Sequence, residues 1–136
     1  MHSHTLAQDN RDTIADALAR GDWIVACLCA GWCGTCTTYR ATFEALAARH
    51  PDKHFVWIDI EDQADVVGDL DVDNFPTLLL QKDDVVAFFG TMLPDPALAE
   101  RLIQSKTGQT REELAAQANK TWQAECNLQT LLANAS

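Results

Sequence analysis

Trp23-Ile24-Val25-Ala26-Cys27-Leu28-Cys29-Ala30-Gly31-Trp32-Cys33-Gly34-Thr35-Cys36 is the stretch that decides the fold. Its first eight residues form a continuous apolar run of strand length, the pattern of a strand covered on both faces in a parallel or mixed sheet. Gly31 and Trp32 lead from that run into a Cys-x-x-Cys, after which Tyr39, Phe43, Leu46 and Ala47 recur at helical spacing until His50-Pro51 ends the pattern. Two thiols therefore fall where a buried strand turns into a helix. A helix N-terminus offers unpaired N–H groups and a partial positive charge, and both favour thiolate over thiol. Cys33 is accordingly expected to be the nucleophile, and Cys36, three residues deeper and shielded, the resolving partner.

Outward from this junction the chain alternates helix and strand. Upstream, Ile14, Ala15 and Leu18 share one helical face over residues 11 to 20, with Asn10 able to cap the start and Gly21 placed to end it. Downstream, His54 to Ile60 alternates like a strand, and Val66, Val67 and Leu70 mark a short helix. Thr77 to Gln81 and Val85 to Phe89, separated by the turn-prone Lys82-Asp83-Asp84, predict an antiparallel hairpin ending at Gly90. Asp95 and Pro96 supply an N-cap and first-turn proline for a helix carrying Leu98, Leu102 and Ile103. A core domain over residues 1–105 and a helical extension over 106–136 follow. Thr110 and Glu113 match a capping box opening a helix through about Glu125, whose stripe of Leu114, Ala118, Trp122 and Cys126 needs a surface to cover. It either packs back on the domain, giving a monomer, or pairs weakly with a second copy or another partner.

A length of 136 residues with 47% apolar content suits one domain with a modest appendage. The net charge of −10 argues against a nucleic-acid surface and against attraction to anionic lipid, and favours encounters with basic polypeptides. With no apolar run of membrane-spanning length and no basic start leading into a hydrophobic core, the chain reads as soluble and unexported. Five cysteines, four of them within residues 27–36, do not resemble the dispersed even framework of a stapled secreted domain, so a reducing cytoplasm is expected. His2 and His4 are expected to be mobile, His50 and His54 to flank a helix-to-strand turn, and Trp23, Trp57 and Trp122 to serve packing.

The pairing of Trp32-Cys33-Gly34-Thr35-Cys36 after an apolar strand with Phe75-Pro76-Thr77-Leu78-Leu79-Leu80 some forty residues later resembles the thioredoxin family over roughly residues 10 to 105. The resemblance implies an α/β three-layer sandwich with a central mixed sheet of about four strands flanked by helices. It also implies a protein thiol–disulfide oxidoreductase needing no cofactor or metal, with Cys33 and Cys36 catalytic and a thioredoxin reductase as partner. Pro76 would be cis and face the dithiol, leaving the Phe75 backbone to pair with an extended substrate, and Trp32, Gly34 and Thr35 would border the same groove.

Thr35 stands where such proteins commonly carry proline, which implies a more oxidising couple, roughly −270 to −180 mV. Cys27 and Trp57 occupy the places of a buried aspartate and lysine. Losing both together is coherent, because a lone buried charge is costly whereas a thiol and an indole are not. Resolution by Cys36 would then be slower or would use water or a carboxylate such as Asp59.

Two other classes stay open. Cys27, Cys29, Cys33 and Cys36 number the thiolates of a zinc or iron–sulfur centre, though two ligands on a buried strand and two across a turn converge poorly. A thioredoxin-fold binding module with little turnover is the other. Cys27 and Cys29, at i and i+2 on a buried strand, are expected to pack as small hydrophobes, the sharper alternative being Cys29 as a third exchanging thiol. The acidic run of Glu61, Asp62, Asp65, Asp69, Asp71 and Asp73 reads as a solvated face, or as a surface that steers basic substrates.

Overall fold

The apolar run forms a strand over Trp23–Cys29 in the computed structural model, which describes residues 3–7, 9–30, 34–67, 76–82, 85–91, 95–116 and 127–135. In chain order the elements are β1 (Ser3–Thr5), α1 (Arg11–Ala19), β2 (Trp23–Cys29), α2 (Gly34–Arg49), β3 (His54–Asp59), α3 (Ala64–Val67), β4 (Thr77–Lys82), β5 (Val85–Thr91), α4 (Pro96–Thr107), α5 (Arg111–Ala116) and α6 (Leu128–Ala135).

The strands make one mixed sheet in the order β1-β3-β2-β4-β5, so β2 lies at its centre. Strands β1 and β2 run parallel to β3, whereas β4 runs antiparallel to β2 and β5 antiparallel to β4. Five strands stand where about four were expected. The extra one is β1, a three-residue polar Ser-His-Thr segment too short to show a period, which pairs Ser3, His4 and Thr5 with Phe55, Val56 and Trp57. His4 is thus a strand residue, its ring stacked at 6.4 Å on His54, rather than part of a mobile start.

Alternation of side chains along the strands builds the three layers. Ile24, Ala26, Leu28, Val56, Ile58 and Leu79 point one way, into a core completed by Ile14 and Leu18 of α1, Val66 and Val67 of α3, and Leu128 and Leu132 of α6. Val25, Cys27, Cys29, Phe55, Trp57, Leu78 and Leu80 point the other way, against Tyr39, Phe43 and Leu46 of α2 and Ala99 and Ile103 of α4.

Local chemistry sets the element ends. Gly21, at φ 84°, follows α1 in the left-handed region; its N–H donates to Leu18 O and that of Asp22 to Ala17 O, the Schellman pairing that closes a helix. Asn10 does not cap α1 as expected. Its amide instead ties down the β1–α1 connection, Oδ1 accepting from Ala7 N at 2.8 Å and Nδ2 donating to Thr5 O at 2.7 Å. Asp95 caps α4 through Ala97 N, with Pro96 in the first turn. The capping box forms in both directions, Glu113 N donating to Thr110 Oγ1 and Thr110 N to Glu113 Oε1.

The described C-terminal helix α6 packs on the sheet. Gln81, fully buried in β4, receives it: Gln81 Oε1 accepts from Leu128 N at 2.7 Å and Nε2 donates to Asn127 Oδ1 at 2.9 Å. Ala118, Trp122 and Cys126 of the expected amphipathic stripe lie outside the described residues.

Candidate active site

β2 ends at Cys29 and α2 begins at Gly34, so the last residue of the central strand faces the first turn of the helix. Cys36 opens the buried face of α2, followed by Tyr39, Phe43, Leu46 and Ala47 at the spacing of one helical stripe. Its sulfur is bonded to that of Cys29. The Cys29–Cys36 disulfide joins residues seven apart in sequence, with Cα atoms 5.8 Å apart, inside the range such bonds need. Both residues are buried, 1% and 2% exposed. Cys29 thus packs in the core as expected and is in addition bonded to Cys36, because side chains at the end of β2 on this face meet the first turn of α2.

Cys27 sits one pleat back on the same face, its Sγ 3.7 Å from that of Cys29, and remains a free thiol. Burial pushes that thiol far above the ordinary range, with the Arg40 charge pulling weakly the other way. The Tyr39 hydroxyl is likewise raised, first by burial and then by Cys27, and has no hydrogen-bond partner among the described residues. Strand register sets Cys27 opposite Trp57 and Cys29 opposite Asp59. The thiol and the indole at the two departures from the family pattern are thus cross-strand neighbours.

Arg40 is the cation that sequence reasoning missed. Its guanidinium lies 4.6 Å from the Trp57 ring centroid, donates to Thr5 Oγ1 at 2.6 Å and approaches Glu44 across a turn of α2. A cleft of about 300 Å3 between α2 and β3 is lined by Ala30, Cys36, Thr37, Arg40, Trp57 and Asp59. Asp59 is held there by an Asx turn, Oδ1 accepting from Glu61 N and Asp62 N. The four-residue spacing of Cys36 and Arg40 on one helix was the available signal for that neighbourhood.

Of the residues expected to bind substrate, Gly34 and Thr35 are exposed at the start of α2 and border a second cleft with Thr38, Tyr39 and Thr42. A side chain added at Gly34 would meet nothing within 4 Å. Pro76 is buried just ahead of β4. Trp32, Cys33 and Phe75 lie outside the described residues, as does the Phe75-Pro76 peptide. Among the described residues no group of three or more His, Cys, Asp or Glu is arranged to hold a metal ion, and no helix is long and apolar enough to cross a membrane.

The sequence profile of the thioredoxin family matches residues 4–104. A thioredoxin of Ophiophagus hannah is 34% identical over 61 residues, which cover 45% of this chain and 58% of that protein. The thioredoxin-like protein CXXS1 of Oryza sativa subsp. japonica is 36% identical over 73 residues, covering 54% of this chain and 55% of that protein. The matched part thus spans little more than half the length of these curated relatives. Among solved structures, thioredoxin NaTrxh from Nicotiana alata shares the fold at a TM-score of 0.68 and 22% identity, over 77% of this chain and 92% of that one.

Proposed function

Because the chain belongs to the thioredoxin family, we propose that it is a thiol–disulfide oxidoreductase acting on protein disulfides, with Cys33 as nucleophile and Cys36 as resolving thiol. The observation that carries this reading is the state of Cys36: in the first turn of α2, behind the central strand, its sulfur is joined in a disulfide. That this sulfur forms a disulfide, here with Cys29, supports thiol–disulfide chemistry at the strand–helix junction.

In the proposed cycle the Cys33 thiolate attacks one sulfur of a substrate disulfide and the other leaves as thiolate. Cys36 then attacks Cys33 Sγ, the substrate departs as its second thiolate, and a Cys33–Cys36 bond remains. Two electrons pass from the dithiol to the substrate, and a dithiol donor, by family analogy a thioredoxin reductase, returns them. Cys36 must be out of its bond to Cys29 for this cycle to run. Asp59, in the same cleft as Cys36, is suited to take the proton that the missing aspartate would have taken. Extended substrate would lie over Gly34 and Thr35 beside Trp32, Phe75 and Pro76. The clustered cysteines suit work in a reducing cytoplasm, and the chain is proposed to act as a monomer or weak dimer.

Insulin reduction driven by dithiothreitol tests the reading. The wild-type chain is expected to accelerate it, Cys33→Ser to abolish the acceleration, and Cys36→Ser to accumulate a mixed disulfide through Cys33. A wild-type chain that leaves insulin disulfides untouched overturns it.

A further inference from the structure

The Cys29–Cys36 bond uses the sulfur that the proposed cycle needs free. We propose that Cys29 and Cys36 form a second redox couple sharing Cys36 with the first, through which Cys29 withdraws the resolving thiol and stores the oxidising equivalent inside the core.

Three observations carry it. The two residues are bonded across the strand–helix junction. Both are buried, and among the described residues Cys36 lines the cleft with Arg40, Trp57 and Asp59. Cys27, on the same face with its Sγ 3.7 Å from that of Cys29, stays a free thiol, so the bond to Cys36 falls to the cysteine at the end of β2.

The exchange balances without an outside oxidant once a substrate disulfide has been reduced. Cys29 loses its proton and attacks Cys36 Sγ in the Cys33–Cys36 bond; that bond breaks, the Cys29–Cys36 bond forms, and Cys33 leaves as a thiolate that takes up a proton. One disulfide replaces another. In the resulting state Cys33 is a monothiol, so adducts it forms are not resolved by Cys36. The couple rests on these observations, whereas its consequence for turnover rests on the function proposed above.

The test is disulfide mapping of the full chain and of Cys33→Ser after equilibration in glutathione buffers of graded oxidation, rapid alkylation and peptide mass analysis. In Cys33→Ser, two thiols are expected to disappear together and the Cys29–Cys36 peptide pair to appear. In the wild-type chain the same pair is expected beside Cys33–Cys36, and insulin reduction is expected to fall as its share rises. Cys29→Ala, which substitutes one small apolar side chain for another, should lose the pair and keep its activity in buffers where the wild type slows. Both Cys29 and Cys36 staying alkylatable in Cys33→Ser at every ratio, with only Cys33–Cys36 in the wild type, overturns the couple even if insulin is reduced. The pair forming in a chain that reduces no insulin overturns the oxidoreductase reading and leaves the couple standing.

Discussion

At the residue scale, two arginines tie elements together by different physics. Arg11 reaches from α1 to α3, donating to both Asp65 oxygens at 2.8 Å and to Gln63 Oε1 at 2.7 and 3.1 Å. The guanidinium holds the Asp65 carboxyl below the usual carboxylate range, mainly through these hydrogen bonds. A carboxyl depressed in the folded state contributes stability that is present above its unfolded value, about 3.9, and is lost as pH falls through the folded value. Urea midpoints of wild type and Asp65→Asn should therefore differ by a constant amount from neutral pH down to about pH 5 and converge in stronger acid. A gap that persists in acid would mean the contact works by packing and not by charge. Arg40 acts through its face, stacked on Trp57 while bonded to Thr5. Arg40→Ala should lower stability by about 1 kcal/mol, read as a shifted urea midpoint at unchanged slope, with altered Trp57 emission. Stability equal to wild type would show that the stacked guanidinium contributes nothing.

At the scale of elements, what was legible followed from local rules. Strand β2 declared itself by an uninterrupted apolar run, α2 by the Tyr39–Phe43–Leu46 stripe, α4 by Asp95-Pro96, and α5 by the reciprocal Thr110–Glu113 pairing. What was not legible depends on distant partners. β1 is defined only by the β3 edge it pairs with, and the Asn10 amide found the β1 connection nearer than the α1 terminus. The bond of Cys29 depends on the angle at which β2 meets α2, which a spacing of seven residues does not encode. Helix α6 is a similar case, since its docking uses the buried Gln81 amide, which reads in sequence as an unremarkable polar residue at a strand end. Leu132, 3% exposed in the core between α6 and the sheet, gives this docking a measurable weight. Leu132→Ala should cost about 2–5 kcal/mol, seen as a lowered urea midpoint. A cost under about 1 kcal/mol would mean that α6 contributes little to the core it covers.

For the whole molecule, charge is the property that acts beyond contact. A net charge of −10 on 136 residues sets up a negative field, and three acidic residues, Asp59, Glu61 and Asp62, fall together where β3 ends. The register that sets Cys29 opposite Asp59 puts the end of β3 beside the disulfide, and Glu61 and Asp62, both exposed, continue directly from it. Asp69, Asp71 and Asp73 lie outside the described residues. Charges at the mouth of a site change how often a partner arrives more than how tightly it stays. Screening shortens the range of such a field from about 30 Å at 0.01 M salt to about 10 Å at 0.1 M. A disulfide peptide rich in lysine should therefore associate with the chain markedly faster at the lower salt, while a neutral peptide of the same length should show little difference. Replacing Glu61 and Asp62 by glutamine and asparagine should flatten the salt dependence for the basic peptide and leave the neutral one unchanged, as stopped-flow tryptophan fluorescence would record. Equal salt slopes for the two peptides would reduce the acidic surface to a solvated face, because a field that steers must distinguish partners by their sign.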